Sequence, residues 1–249
     1  MTDHDTLVGV RELRAAGDVP AGLEILPGIE LNSVITGPAS TGESEVHILG
    51  LGVDPDDEEL EAALAQQRER RRARFELMVA RLRQLGMSVD AELERQQEAR
   101  ATTDEDALGR PTIARALIAR GYATSVEDAF EKHLSRGRPA YVPRLGLNAV
   151  ESIQAIRRAG GMASLAHFAE APANLGFIRE LIEAGLNGLE VYYRSYDQAT
   201  VGLLRDVATR LGLAMTGGTD YHGDHETYAE AHAQLAVPDS VADQLKVAI

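Results

Sequence analysis

The chain has 249 residues, 44% of them apolar, which is enough for one large domain or one domain with a sizeable insertion. It has no cysteine, which excludes disulfides and thiolate ligands and leaves His and carboxylates to hold any metal. A net charge of −14 argues against a general nucleic-acid coat, and no apolar run approaches the roughly 20 residues that cross a bilayer.

Without a visible signal peptide after Met1, the expectation is a cytoplasmic protein. Thr2-Asp3-His4-Asp5-Thr6 reads as the end of a strand. A helix is expected from about Leu7 to Gly17, with Leu7, Val10 and Leu13 at helical spacing. Residues 23–34 read as a strand carrying Glu30, Gly37 to Ser44 as a turn-rich loop, and Glu45 to Val53 as a second strand carrying His47; together they suggest a β-hairpin.

From Asp54 the character changes. Asp54, Asp56, Asp57, Glu58, Glu59 and Glu61 crowd the start of a long helix, where negative charge suits the helix dipole. Arg68, Arg70, Arg71, Arg72 and Arg74 read as a solvated face, followed by an apolar stripe of Phe75, Met78, Val79, Leu82 and Leu85. Shorter helices are expected from Asp90 to Leu134, broken at Gly109-Arg110-Pro111 and at Gly121. Residues 55–145 therefore read as a helical insertion, a substrate cap, between residues 1–54 and 146–249 of an α/β domain.

After Pro143 the β and α signals alternate: a helix over Asn148–Ala159, a strand over Gly161–His167, a helix over Ala173–Ala184, a strand over Gly188–Tyr193, a helix over Gln198–Leu211 and a strand over Leu213–Thr216. This is the pattern of a parallel barrel, whose sites lie at the C-terminal strand ends. Polar metal-capable residues recur at such ends: His4, Glu30 with His47, His167, and Asp220 with His222 in Gly217-Gly218-Thr219-Asp220-Tyr221-His222-Gly223. In extended backbone, residues two apart share a face, so Asp220 and His222 can converge.

These stretches resemble the polymerase and histidinol phosphatase (PHP) metallophosphoesterases. The resemblance rests on Thr2-Asp3-His4-Asp5, Gly28-Ile29-Glu30, Val46-His47-Ile48-Leu49-Gly50, Leu165-Ala166-His167 and Gly218-Thr219-Asp220-Tyr221-His222, in that order. Gly109-Arg110-Pro111 and Gly137-Arg138-Pro139-Ala140-Tyr141-Val142 resemble the helical insert of the nucleotide phosphatase and 5′-3′ exonuclease branch. The resemblance implies an α/β fold, a distorted (β/α)7 TIM-like barrel, N-terminally incomplete and with a helical insertion. It also implies a metal-dependent phosphoesterase that hydrolyses phosphate esters of nucleotides or short 5′-phosphorylated oligonucleotides by attack of a metal-bridged hydroxide.

Carried over by position, the resemblance gives Glu30 the bridge between two divalent metals (Zn, Mn or Fe). Asp220 joins Glu30 on the first, His47 and His167 complete the second, and His4 with His222 hold a third. Glu30, Asp220 and His167 are the catalytic candidates, and Arg110 and Arg138 are candidate phosphate binders. Two departures stand out: no His-x-His pair opens the chain, and Thr112 follows Arg-Pro where relatives often carry His. Fewer than three metals are therefore expected. An upstream start, a degenerate member and ligands from another chain each fit the missing pair, the first being preferred.

Other readings remain open at the sequence level. A catalytically impaired metal-binding scaffold fits the absent motif, and a metal-dependent amidohydrolase uses similar ligands on a similar barrel. Asp3 and Asp5 either orient His4 or cap the following helix. Tyr192 and Tyr193 stack on a base or close the barrel mouth, and His133, His225 and His232 match no motif.

Overall fold

The computed structural model describes residues 1–17, 19, 22–35, 45–98, 109–222 and 227–248; the expected Gly37–Ser44 loop, Gly223 and His225 lie outside them. Two compact units result, one formed by Met1–Ala63 with Leu147–Ile249 and the other by Leu64–Gly146.

The first unit opens with strand β1 (Thr2–His4), helix α1 (Val8–Ala16), strand β2 (Gly28–Val34) and strand β3 (Glu45–Leu51). β2 begins at Gly28 rather than at residue 23 because Pro27 has no N–H to give the ladder. Gly28 is also a point of close approach: a Cβ there would lie 2.8 Å from Thr2 Cγ2 and 3.0 Å from the Gly50 carbonyl oxygen.

Helix α2 (Glu58–Gln84) starts after Asp57, whose Oδ1 accepts from the Leu60 N–H at 2.7 Å, so Asp54 and Asp56 precede the helix. The second unit holds most of α2, then α3 (Asp90–Glu98), α4 (Arg110–Ala119), α5 (Val126–Ala129) and a π-turn over Phe130–Leu134. Met78, Val79, Leu82, Val89, Ile113, Leu117 and Leu134 form its apolar core, and no strand occurs among its described residues. The expected stripe on α2 ends one turn early, since Leu85 is half exposed. Nor is the arginine run wholly solvated, because Arg74 Nε donates to the Val142 carbonyl at 2.9 Å.

The first unit resumes with α6 (Ala149–Arg158), β4 (Met162–Leu165), α7 (Leu175–Glu183), β5 (Gly188–Tyr193), α8 (Gln198–Leu211), β6 (Ala214–Gly218), α9 (Tyr228–Ala233) and α10 (Asp239–Ala248). A capping box of Asn148 and Glu151 starts α6, and the Asp197 side chain caps α8. The six strands pair in sequence order. β1 is parallel to β2, and β4, β5 and β6 are mutually parallel, whereas β3 runs against both β2 and β4.

The expected hairpin is present, since β3 runs antiparallel to β2 and also to β4, and the parallel-barrel pattern holds for β1 with β2 and for β4, β5 and β6. Among the described residues the sheet has six strands rather than seven and is open. It is curled, because side chains meet across it. Ser164 Oγ on β4 lies 3.0 Å from Thr216 Oγ1 on β6 although β5 runs between them. Leu7, Val10, Ile29, Leu31, Ile48, Ile153, Ile156, Leu189, Val191 and Leu204 fill the core of this unit.

Candidate metal centre at the strand ends

Residues at or just past the ends of β1, β4 and β6 meet residues within β2 and β3, and the curl of the sheet brings them together. His4 closes β1, Glu30 sits beside it on β2, His47 lies on β3, His167 follows β4, and Asp220 and His222 follow β6. Buried Glu30 is the hub: its Oε1 lies 2.6 Å from His47 Nδ1 and 3.3 Å from His167 Nε2, and its Oε2 lies 3.8 Å from His4 Nδ1. His47 Nδ1 and His167 Nε2 are 3.0 Å apart. On the far side, His222 Nε2 stands 3.4 Å from His4 Nε2, and His222 Nδ1 lies 2.9 Å from the Asp220 carbonyl oxygen. Tyr193 donates its hydroxyl to Asp220 Oδ2 at 3.3 Å.

The donor set fits a divalent cation. His47 Nδ1 and His167 Nε2 face each other and the same carboxylate oxygen; one proton can serve only one of those contacts, whereas a cation takes a lone pair from every donor. His4, Glu30 and His47 also offer ligand atoms all within 4.8 Å of one another.

The backbone here is strained. Asp5, His167 and Asp220 are the non-glycine residues with positive φ among the described residues, at 53°, 30° and 49°. Left-handed conformations cost about 1–2 kcal/mol each and persist where the surroundings over-determine them. All three follow strand ends, where the turn aims a side chain back into the cluster.

Electrostatics follow from packing. Burial raises the Glu30 carboxyl, but hydrogen bonds from His167 and His47 and the charge of His4 outweigh it and hold Glu30 far below the usual carboxylate range. Burial likewise lowers His167, yet its contact with Glu30 and the charges of Glu190 and Asp220 push it up to about 9. Burial is the main reason that the Glu190 carboxyl is raised, against the pull of the His167 N–H.

Several participants were not legible as such. Glu190 on β5 is buried and its Oε2 accepts the His167 backbone N–H at 2.7 Å; the only sequence signal was a lone acid inside the apolar run Leu189–Val191. Asn32 donates its backbone N–H to Asp5 Oδ1 at 3.2 Å and its Nδ2 to Asp5 Oδ2 at 3.3 Å, and Nδ2 lies 3.2 Å from His4 Nδ1. Asp5 therefore braces the residue beside His4, and the first N–H of α1 is met instead by Thr6 Oγ1 at 3.2 Å. Tyr193 closes against His167, with ring centroids 5.9 Å apart. Tyr192 turns elsewhere, its hydroxyl 3.9 Å from Met215 Sδ.

Arg110 and Arg138 belong to the second unit. Arg110 opens α4 with its guanidinium over the Phe130 ring, 5.4 Å from the centroid, and Arg138 is exposed. Thr112 is buried and accepts from Arg115 at 3.4 Å. His133 is half-buried and His232 exposed.

An α/β sheet with an imidazole and carboxylate cluster at its strand ends defines a metallohydrolase-type architecture. No family model matches the chain. It is 31% identical over 237 residues to the 3′,5′-nucleoside bisphosphate phosphatase of Chromobacterium violaceum, covering 91% of this chain and 77% of that protein. It is 31% identical over 171 residues to the 5′-3′ exoribonuclease Rnm of Escherichia coli, covering 67% of this chain but only 54% of the relative. A crystal structure from Bifidobacterium adolescentis, assigned as a metal-dependent phosphoesterase, superposes with a TM-score of 0.76 at 29% identity, over 99% of this chain and 84% of that one. The chain belongs to the PHP family of metal-dependent phosphoesterases.

Proposed function

We propose that the chain hydrolyses phosphate esters of nucleotides or of short 5′-phosphorylated oligonucleotides with Zn, Mn or Fe held at the strand-end cluster. The observation that carries this reading is the meeting of His47 Nδ1 and His167 Nε2 at one oxygen of buried Glu30. The names of the nucleotide phosphatase and exoribonuclease relatives support the substrate class. A bound divalent ion supplies Lewis acidity, which activates water and neutralises phosphoryl oxygens.

The protein's own groups then have separable tasks. Glu30 stays ionised and presents both oxygens, one toward His47 and His167 and the other toward His4. His47 and His167 must both be neutral to donate lone pairs, so His167 gives up the proton it shares with Glu30 when a cation binds. Asp220, steadied by the Tyr193 hydroxyl, and the facing pair His4 and His222 complete the donor set. Arg110 and Arg138 are the candidates to grip phosphate oxygens, and the helical insertion at residues 55–145 is the candidate for substrate selection.

The test is phosphate release from a 5′-phosphorylated nucleotide or short oligonucleotide by the metal-loaded protein. Release is expected from wild type and absent in Glu30→Gln; equal release from both would sink the proposal.

A further inference from the structure

Strand β5 contains an irregularity that places two residues on the site. Its pairing with β6 runs Glu190 to Thr216 and then Tyr192 to Gly217, which leaves Val191 as an extra residue. In a regular strand, residues three apart face opposite ways, yet Glu190 reaches His167 and Tyr193 reaches Asp220. A bulge that re-aims side chains beside a site accounts for both.

The partner of Glu190 is a backbone group left over by the sheet. The β4–β5 ladder ends at Leu165 and Leu189, and the Ala166 N–H turns to the His47 carbonyl at 3.0 Å. The next N–H, that of His167, is taken by Glu190 Oε2 at 2.7 Å, at the residue whose φ is +30°. Glycine at 218 makes room, since a Cβ there would lie 3.3 Å from Glu190 Oε1. A carboxylate that is 5% exposed between Leu189 and Val191 is a costly way to fill space, and Leu or Met would pack there more cheaply.

We infer that Glu190 is a positioning residue: by clamping the His167 N–H it holds the left-handed turn that sets the imidazole against Glu30 and His47. Glu190 acts through His167 and is not itself a ligand. This rests on the metal reading above.

Chelator-competition titration of Zn²⁺ into the metal-stripped full chain tests it, with thermal melting as a check on folding. Glu190→Met, which keeps volume but loses the acceptor, should weaken Zn²⁺ binding by about 10- to 100-fold. Glu190→Gln keeps an acceptor oxygen for the N–H and should stay within about threefold of wild type. Adding Glu190→Met to His167→Ala should cost nothing further, because the clamp then has nothing to aim.

Equal losses in the Gln and Met variants would make the negative charge or direct ligation the role and overturn the inference. Wild-type binding in Glu190→Met would overturn it too, leaving the metal reading intact. If Glu190→Met and Glu190→Leu both fail to fold while Glu190→Gln binds normally, Glu190 is a folding residue and the inference falls. If His167→Ala binds Zn²⁺ as tightly as wild type, the metal reading itself fails.

Discussion

The two units of this chain handle buried polarity in opposite ways. The sheet-bearing unit buries Asp5, Glu30, Asn32, Ser33, Ser152, Ser164, Glu190 and Thr216, and it contains all three left-handed non-glycine residues among those described. In the helical unit the described buried polar residues are Gln67 and Thr112, around an apolar cluster with no such backbone strain. Strain and buried charge cost free energy, so a region that keeps both at one end of a sheet is arranged for chemistry. A region that keeps neither in its core is arranged for packing, with any function on its surface.

The largest effect should come from the hub. Glu30→Ala leaves His47 and His167 facing each other without their shared carboxylate, and kcat/KM for phosphate release should fall by at least about a thousandfold. Near-normal kinetics in that variant would erase the contrast between the units.

In the helical unit the corresponding break is in packing. Leu117→Ala should lower stability by about 2–5 kcal/mol in urea unfolding, with turnover per folded molecule little changed. A collapse of turnover in still-folded protein would show that its core does more than pack.

Protonation gives an effect specific to the sheet unit. His167 is raised in the folded state, so the stability it lends the metal-stripped protein is complete below its ordinary value of 6.5 and is lost as pH rises through about 9. Glu30 is depressed, so its contribution is present above the ordinary 4.5 and is lost only as pH falls through its lowered value. The melting temperature of stripped protein should therefore decline between pH 7 and pH 10. Metal affinity should rise over the same range, as His167 releases its proton. A flat melting profile would mean that the His167–Glu30 pair contributes nothing.

The smallest expected change is at the arginines. Arg110→Ala or Arg138→Ala should raise KM for a phosphorylated nucleotide by up to about tenfold with kcat nearly kept. An unchanged KM in both variants would remove the helical unit from substrate binding.

Much of the sheet unit was legible because strand-end chemistry is written in short runs. Glu30 and His47 lie within apolar runs, His167 ends one and Asp220 with His222 follow another, while helix α8 and strand β5 fall where the pattern placed them. What stayed hidden depends on pairing. The hairpin of β2 and β3 was readable, but the antiparallel pairing of β3 with β4 was not, and the bulge at Val191 is a register shift visible only against β6. Glu190 resembled an ordinary strand residue because its partner is a backbone N–H 23 residues away. Asn32 had no signal at all, since its link to His4 depends on the β1–β2 register.

The most direct test strips the full chain of metal and measures phosphate release from a phosphorylated nucleotide before and after Mn²⁺ is restored, alongside a His47→Ala, His167→Ala double variant. The account predicts no release from stripped protein, recovery on adding Mn²⁺, and no recovery in the double variant. Release that persists without metal, or recovers equally without the two histidines, would contradict it.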